Sequence, residues 1–335
     1  MKRSCELMNT IKSLTIIILL TILFGCSGET KLTNSILNKK PVFNLMIHSV
    51  GTRYDVLLNG VMIYDDASGN GQITTSLPIN HWMRAGENSL ELVIYPDDEG
   101  IPINEKSEVN AEIYVHNDEM EEHQYRIGGF NFKGLGHIPE SDLLGYRLEA
   151  ELFKHSEEGE VLAQNVEITE DTFFEGVVEY KQTFTIPNNL PLWAFFNSDA
   201  IPHDPDLSED DFWAISAELR DHLKEIQDKI IAGDIDEVMP LFDERNEELD
   251  KAFYYSSGVM EAKLRDSFEV DFLRLNMLEI EGQDVAYVSE KNLKLASLLR
   301  DGRGPAMVGN FKNSQGSIGF PIMFRKQNGK WIITR

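Results

Sequence analysis

Past residue 26 the sequence has no cysteine; the two it contains are Cys5 and Cys26. That excludes an intramolecular disulfide, a zinc–thiolate site and a cysteine nucleophile from residues 27–335. Positive charge is scarce as well. The chain holds 31 Lys and Arg against 56 Asp and Glu, a net charge of −25. Lys2, Arg3 and Lys12 against Glu6 give the first 25 residues a net +2, so the remainder carries −27. Such a surface repels phosphate backbones and argues against a nucleic-acid partner. Basic proteins, cationic peptides and divalent cations suit it better, unless the acid serves solubility alone. Long apolar runs are missing: Leu14 to Phe24 is eleven residues, against about 20 needed to span a bilayer as a helix. Also missing are G-x-S-x-G, a Walker loop, H-E-x-x-H, a helix-opening G-x-G-x-x-G and any internal repeat. The Gly-rich "DGRGPAMVG" at 301–309 leads into a strand pattern and reads as a hairpin loop.

What the front end does contain is ordered. The positive residues precede the apolar run, and polar chain follows it, as in a secretory signal. Leu23-Phe24-Gly25-Cys26 resembles the lipobox of bacterial lipoproteins, with an aliphatic residue at minus three and a small one at minus one. Phe24 at minus two is bulkier than usual there. The resemblance implies cleavage before Cys26 and acylation of Cys26, and so a lipid bilayer as the first partner; the alternative is a short uncleaved anchor. Ser27, in place of a retention Asp, points to the outer membrane, facing the periplasm. Residues 26–40 read as a tether.

From Pro41 the pattern is period two. Short β-rich runs, such as "RYDVLLNGVMIYDD", "NSLELVIYP" and "EVNAEIYVHND", alternate with Gly, Asn, Asp and Pro clusters. They predict an antiparallel β-sandwich over 41–187, including "GYRLEAELFKH" at 145–155, with Asn59-Gly60 as a two-residue hairpin turn. "VLLNGVMIY" followed by "LPINHWMRAGENSLELVIY" resembles sugar-binding jelly-roll modules, which would make Trp82 a stacking platform; a core-capping Trp is the alternative. "DASGNGQI" at 66–73 matches the start of a calcium loop, but Leu77 stands where the closing Glu belongs. "HNDEMEEH" at 116–123 has metal-ligating residues at unspecific spacing and reads as a solvated acidic loop. No metal and no cofactor are expected.

Residues 188–207 form a proline-rich junction in which Trp193, Phe195 and Phe196 are too apolar for a free linker. They are expected packed on a domain or presented to a partner. Ser208 then caps a helix whose Leu219, Leu223, Ile226 and Ile230 share a face, and Gly233 ends it. A second helix is expected over 235–254 and a third over 259–266. Strands are expected over "VDFLRLNMLEI", "DVAYVS", "PAMVGNFK", "SIGFPIMFRK" and "KWIITR", with a turn at Asn328-Gly329. The whole is thus a two-domain chain, a β-sandwich followed by an α+β domain at 208–335 with helices packed on a curved antiparallel sheet. "AGDIDEVMPLF" and "FRKQNGKWIITR" resemble the helix corner and closing hairpin of the nuclear transport factor 2-like cone, with Trp331 inward. That resemblance implies a cavity where His222 would be an acid/base candidate, partnered by Asp284 or Asp271; a structural His is the alternative.

Four functions follow from these readings. The leading one is a membrane-anchored, non-enzymatic binding lipoprotein with a protein or cell-envelope ligand. The others are an immunity lipoprotein against a secreted antibacterial effector, a carbohydrate-binding envelope protein, and a small-molecule enzyme using the cone.

Overall fold

The computed structural model describes residues 40–66, 69, 71–95, 106–117, 125–134, 177–186, 190–282, 285–301 and 304–335. Cys26 and the tether up to residue 39, the run at 145–155, most of the acidic stretch 116–123 and Asp284 lie outside the described residues.

Among the described residues eight strands build the amino-terminal part: β1 (Pro41–Val50), β2 (Arg53–Leu58), β3 (Val61–Asp66), β4 (Gln72–Pro78), β5 (Gly86–Tyr95), β6 (Glu108–Asn117), β7 (Tyr125–Lys133) and β8 (Val178–Ile186). They form two antiparallel four-stranded sheets, ordered β4-β1-β6-β7 and β3-β2-β5-β8. Alternation does the sorting. Along β1, Phe43, Leu45 and Ile47 are buried while Asn44, Met46 and His48 turn outward. Their inward faces meet those of β2 and β5 (Tyr54, Val56, Leu58, Leu90, Leu92, Ile94) in one shared apolar core. Asn59 and Gly60 carry φ of 54° and 71°, the left-handed pair that a tight hairpin between β2 and β3 requires.

Among the described residues the α-helices lie in the carboxy-terminal part. The longest, α1 (Glu209–Ala232), starts on Ser208, whose hydroxyl oxygen accepts the Asp211 N–H at 3.2 Å. It stops at Gly233, whose φ of 86° lets its N–H turn back to the Ile230 carbonyl. The helix expected over 235–254 is interrupted. A single turn, α2 (Ile235–Val238), gives way to a 3₁₀ turn at Met239–Phe242 before α3 (Asp243–Ala252). Pro240 has no N–H for a continuing α-helix, so the α-helical bonding is interrupted there.

α4 (Val259–Asp266) does not hand over to a strand as the sequence pattern suggested. Ser267–Asp271 continues it as a wide helical turn and Phe272–Arg274 as a tight one, leaving only β9 (Leu275–Met277) extended. Phe268 and Phe272, four apart, are the reason: both are buried, with ring centroids 5.5 Å apart. The remaining strands are β10 (Val285–Ser289), β11 (Ala296–Arg300), β12 (Gly304–Pro305), β13 (Met307–Phe311), β14 (Ser317–Phe320), β15 (Met323–Gln327) and β16 (Lys330–Ile333). They fall into two antiparallel sheets, β10-β11-β15-β16 and β14-β13-β9, rather than one. The run 304–311 turns the corner: β12 pairs with β11, and β13 beyond Ala306 pairs with β14 and β9. Pro321 splits the long strand expected at its position into β14 and β15.

Inside, α1 and these strands enclose Leu219, Leu223, Tyr287, Leu298, Phe324 and Trp331, which pack into a second core. No helix of the described residues is long and apolar enough to cross a membrane.

Candidate functional site at the junction

The chain between the two parts is built into a third apolar cluster. Trp193 and Phe195 are 1% and 0% exposed, packed with Val61, Ala252 and Leu295 from both parts of the chain. Trp193 donates its indole N–H to the Met83 carbonyl at 2.7 Å. Trp82 and Phe196 flank the cluster, half-buried, and the Trp82 and Phe195 rings meet edge to face at 6.0 Å. All four aromatic candidates at the junction therefore come together. The Trp82 ring is also 4.7 Å from that of His81.

His222 does not join them. It is exposed on the solvent side of α1, while Leu219, Leu223 and Ile226 take the core side. Asp271, its described candidate partner, accepts instead from the Ser267 hydroxyl at 3.1 Å. Of the calcium-loop match at 66–73, residues 67, 68 and 70 lie outside the described residues; Asp66 ends β3 and accepts the Gly69 N–H at 3.2 Å. Among the described residues, no group of three or more His, Cys, Asp or Glu is placed to hold a metal.

The residues that sequence reasoning passed over are charged. Arg335 is 7% exposed, and its guanidinium lies over Phe195, Trp82 and Trp193 at 4.9, 5.3 and 5.9 Å. It donates to Glu248 at 2.6 Å and to the His81 carbonyl at 2.9 Å. The other Glu248 oxygen accepts the Ala194 N–H at 2.6 Å, which pins the aromatic segment to α3. Arg325 pairs through both arms with Glu244 one turn earlier. Burial pushes the Arg335 guanidinium below its ordinary pKa, against the pull of Glu248. Burial, with Arg335 beside it, also brings Arg245 down to about 10. Burial and both arginines hold His81 well below its usual range, hence neutral.

A second seam runs along β3 and the loop after β10. Glu290 accepts the Met62 N–H at 2.9 Å across the junction. Burial, then Asp55 and Asp204, raise the Glu290 carboxyl to about 7. Asn292 donates its N–H to the Gly60 carbonyl at 3.1 Å. The fit is close, since a Cβ on Gly60 would come within 2.9 Å of the Asn292 nitrogen. Lys291 reaches Glu91 at 2.8 Å and also bonds Glu179. Burial pushes the Glu91 carboxyl up, but Lys291 and Lys181 together hold it below its usual range. A third tie comes from Asn80, which is fully buried and donates to both Pro41 and Ala252 carbonyls at 2.8 Å.

Compared with known proteins, the chain matches no family model, no curated protein and no solved structure. The chemistry of the junction therefore rests on its own geometry. It can clamp two β-rich bodies together, and its charged rim can present hydrogen-bond donors.

Proposed function

We propose that this protein is a bacterial envelope lipoprotein, acylated at Cys26 and facing the periplasm, that works as a non-enzymatic binding protein. The observation that carries this reading is the segment Leu23-Phe24-Gly25-Cys26 at the end of a short apolar run, ahead of a polar tether. In this reading the amino-terminal strands are a β-sandwich domain and residues 208–335 an α+β domain of the nuclear transport factor 2-like kind. The second core gathers apolar side chains, which supports binding at surfaces and at the junction over acid–base chemistry inside a cone. Exposure of His222 argues in the same direction.

The test is metabolic labelling with an alkyne palmitate analogue in a bacterial host, followed by membrane fractionation. Wild-type chain is expected to take the label and to sediment with membranes; Cys26→Ser is expected to lose both. A Cys26→Ser chain that stays labelled and membrane-bound removes the reading. Envelope cross-linking of the wild type then addresses the partner. Recovery of nothing specific, together with turnover in a metabolite screen, would replace binding by catalysis.

A further inference from the structure

The corner where α3, the turn at Asn80–Trp82 and the end of the chain meet holds more donors than acceptors. Three guanidiniums, Arg245, Arg325 and Arg335, influence one another or share partners there. The carboxylates bonded to them are Glu244, which takes Arg325, and Glu248, which takes Arg335. Asp199 adds its charge near Arg325, whereas Arg245 has no carboxylate bonded to it among the described residues: its Nη1 donates to the neutral Asn246 amide oxygen at 2.9 Å, and Arg335 is the charge that acts on it. The main-chain oxygen of Arg335 is directed elsewhere and accepts the Met323 N–H at 2.8 Å.

A second, independent observation lies in the same corner. The Arg335 Nε, His81 Nδ1, Asn246 Nδ2 and Thr334 Oγ1 atoms are buried and have no hydrogen-bond partner among the described residues. Arg335 and Asn246 are 7% and 3% exposed, so bulk water does not satisfy them. Orphaned donors of this kind are rare in folded proteins, and a charged one is the costliest. Two of these, Arg335 Nε and Asn246 Nδ2, can only donate, and His81 Nδ1 joins them in one tautomer; beside an Arg245 with no carboxylate bonded to it among the described residues, they suit an acceptor carrying negative charge. His81 and Arg245 are partly exposed and form the outer edge of the corner. The composition makes this more telling: a chain of net charge −25 disfavours anions over its surface as a whole.

We propose that this corner is an oxyanion site, in which Arg245, Arg335 and Asn246 present donors to a single carboxylate or phosphate group. Arg245 supplies the planar fork that suits either group. Arg335 contributes Nε–H while its two terminal nitrogens stay on Glu248 and the His81 carbonyl. Neutral His81 adds Nδ1–H in one tautomer. The site would couple the ligand to the junction, because Arg335 also stacks on Trp82, Trp193 and Phe195. The proposal is independent of the anchor: acylation is read by the palmitate label and this site by titration.

The experiment titrates purified full-length protein with inorganic phosphate and, in parallel, with acetate, each against sodium chloride at matched ionic strength. Tm and tryptophan fluorescence are followed, since Trp82 and Trp193 sit against Arg335. A saturable rise in Tm with a fluorescence change is expected for one oxyanion or both. A stronger phosphate response assigns a phosphate group as the natural ligand, and a stronger acetate response a carboxylate. Arg245→Met is expected to weaken the response about tenfold or more, the loss of a charge-assisted hydrogen bond. Its stability without oxyanion should match or exceed the wild type, because a buried like charge is gone. Arg245→Lys, which retains the charge but loses the fork, serves if Met disturbs the fold. Lys251→Gln, on the exposed face of the same helix, makes the same change in charge and should leave the response intact. No saturable response to either anion overturns the proposal. So does an unchanged response in both Arg245 variants, or an equal loss in Lys251→Gln.

Discussion

Glu290 shows how one residue ties stability to pH. Its carboxyl is 7% exposed and accepts a backbone N–H from the other part of the chain. Desolvation dominates, and Asp55 and Asp204 add to it, so the group is lifted from the ordinary 4.5 to about 7. A carboxyl raised on folding holds more protons folded than unfolded across that window. Stability therefore falls as pH rises from about 4.5 to about 7. Asp55, lifted to about 6 chiefly by burial against its bond from Tyr95, acts with the same sign. Glu290→Gln keeps an oxygen for the Met62 N–H and removes the charge. It is expected to match the wild type at pH 5 and to exceed it at pH 8 by an amount on the order of a few kcal/mol. Urea unfolding of both chains at the two pH values checks this. Parallel pH profiles would show that Glu290 does not titrate on folding.

At the scale of elements, α1 is where local chemistry and tertiary packing can be separated. Ser208→Ala removes the oxygen that caps Asp211, at a cost of about 1 kcal/mol. Leu223→Ala removes a side chain 2% exposed and is expected to cost about 2–5 kcal/mol. His222→Ala, one residue away on the solvent side, should stay within about 0.5 kcal/mol of wild type. Denaturant midpoints of the three variants test that order, and a His222 effect as large as that of Leu223 would contradict the placement of the helix face.

The same elements show what the sequence discloses. Ser208, Gly233 and the Asn59-Gly60 and Asn328-Gly329 turns were legible because each acts within four residues of itself. The segment 267–274 was not. "VDFLRLNMLEI" alternates well enough for a strand, and only the burial of Phe268 against Phe242, at 5.6 Å, shows that the i, i+4 spacing prevailed. β11 was missed because "ASLLR" is short and carries no turn signal of its own. Of the junction, the aromatics announced themselves by being out of place in a proline-rich stretch. The Arg335–Glu248 pair could not, since its members are 87 residues apart and each is an ordinary charge in sequence.

For the whole molecule the question is whether the two β-rich parts behave as one. Trp193 and Phe195 pack between them, Asn80 bridges the junction with a buried hydrogen bond and Glu290 with a part-buried one, and Lys291 joins Glu91 and Glu179 across it. The apolar cluster supplies most of the attraction. The ion pairs contribute less, because removing a buried charge from water offsets much of what pairing returns. Breaking one is nonetheless costly, since the partner is left uncompensated. Trp193→Ala would remove the largest fully buried side chain, open a cavity, orphan the Met83 carbonyl and take one ring from under Arg335. A loss of about 3–5 kcal/mol is expected. Its distribution is more informative than its size. Each part has its own core, so loosening the junction should let them unfold separately. Wild-type protein is expected to lose β-sheet signal and tryptophan fluorescence in one urea transition. Trp193→Ala should show two, with protease cutting first in the stretch around 190–207. A variant that unfolds in a single step, merely shifted to lower urea, would mean that coupling passes through the polar bridges at Asn80 and Glu290 and not through the aromatic cluster.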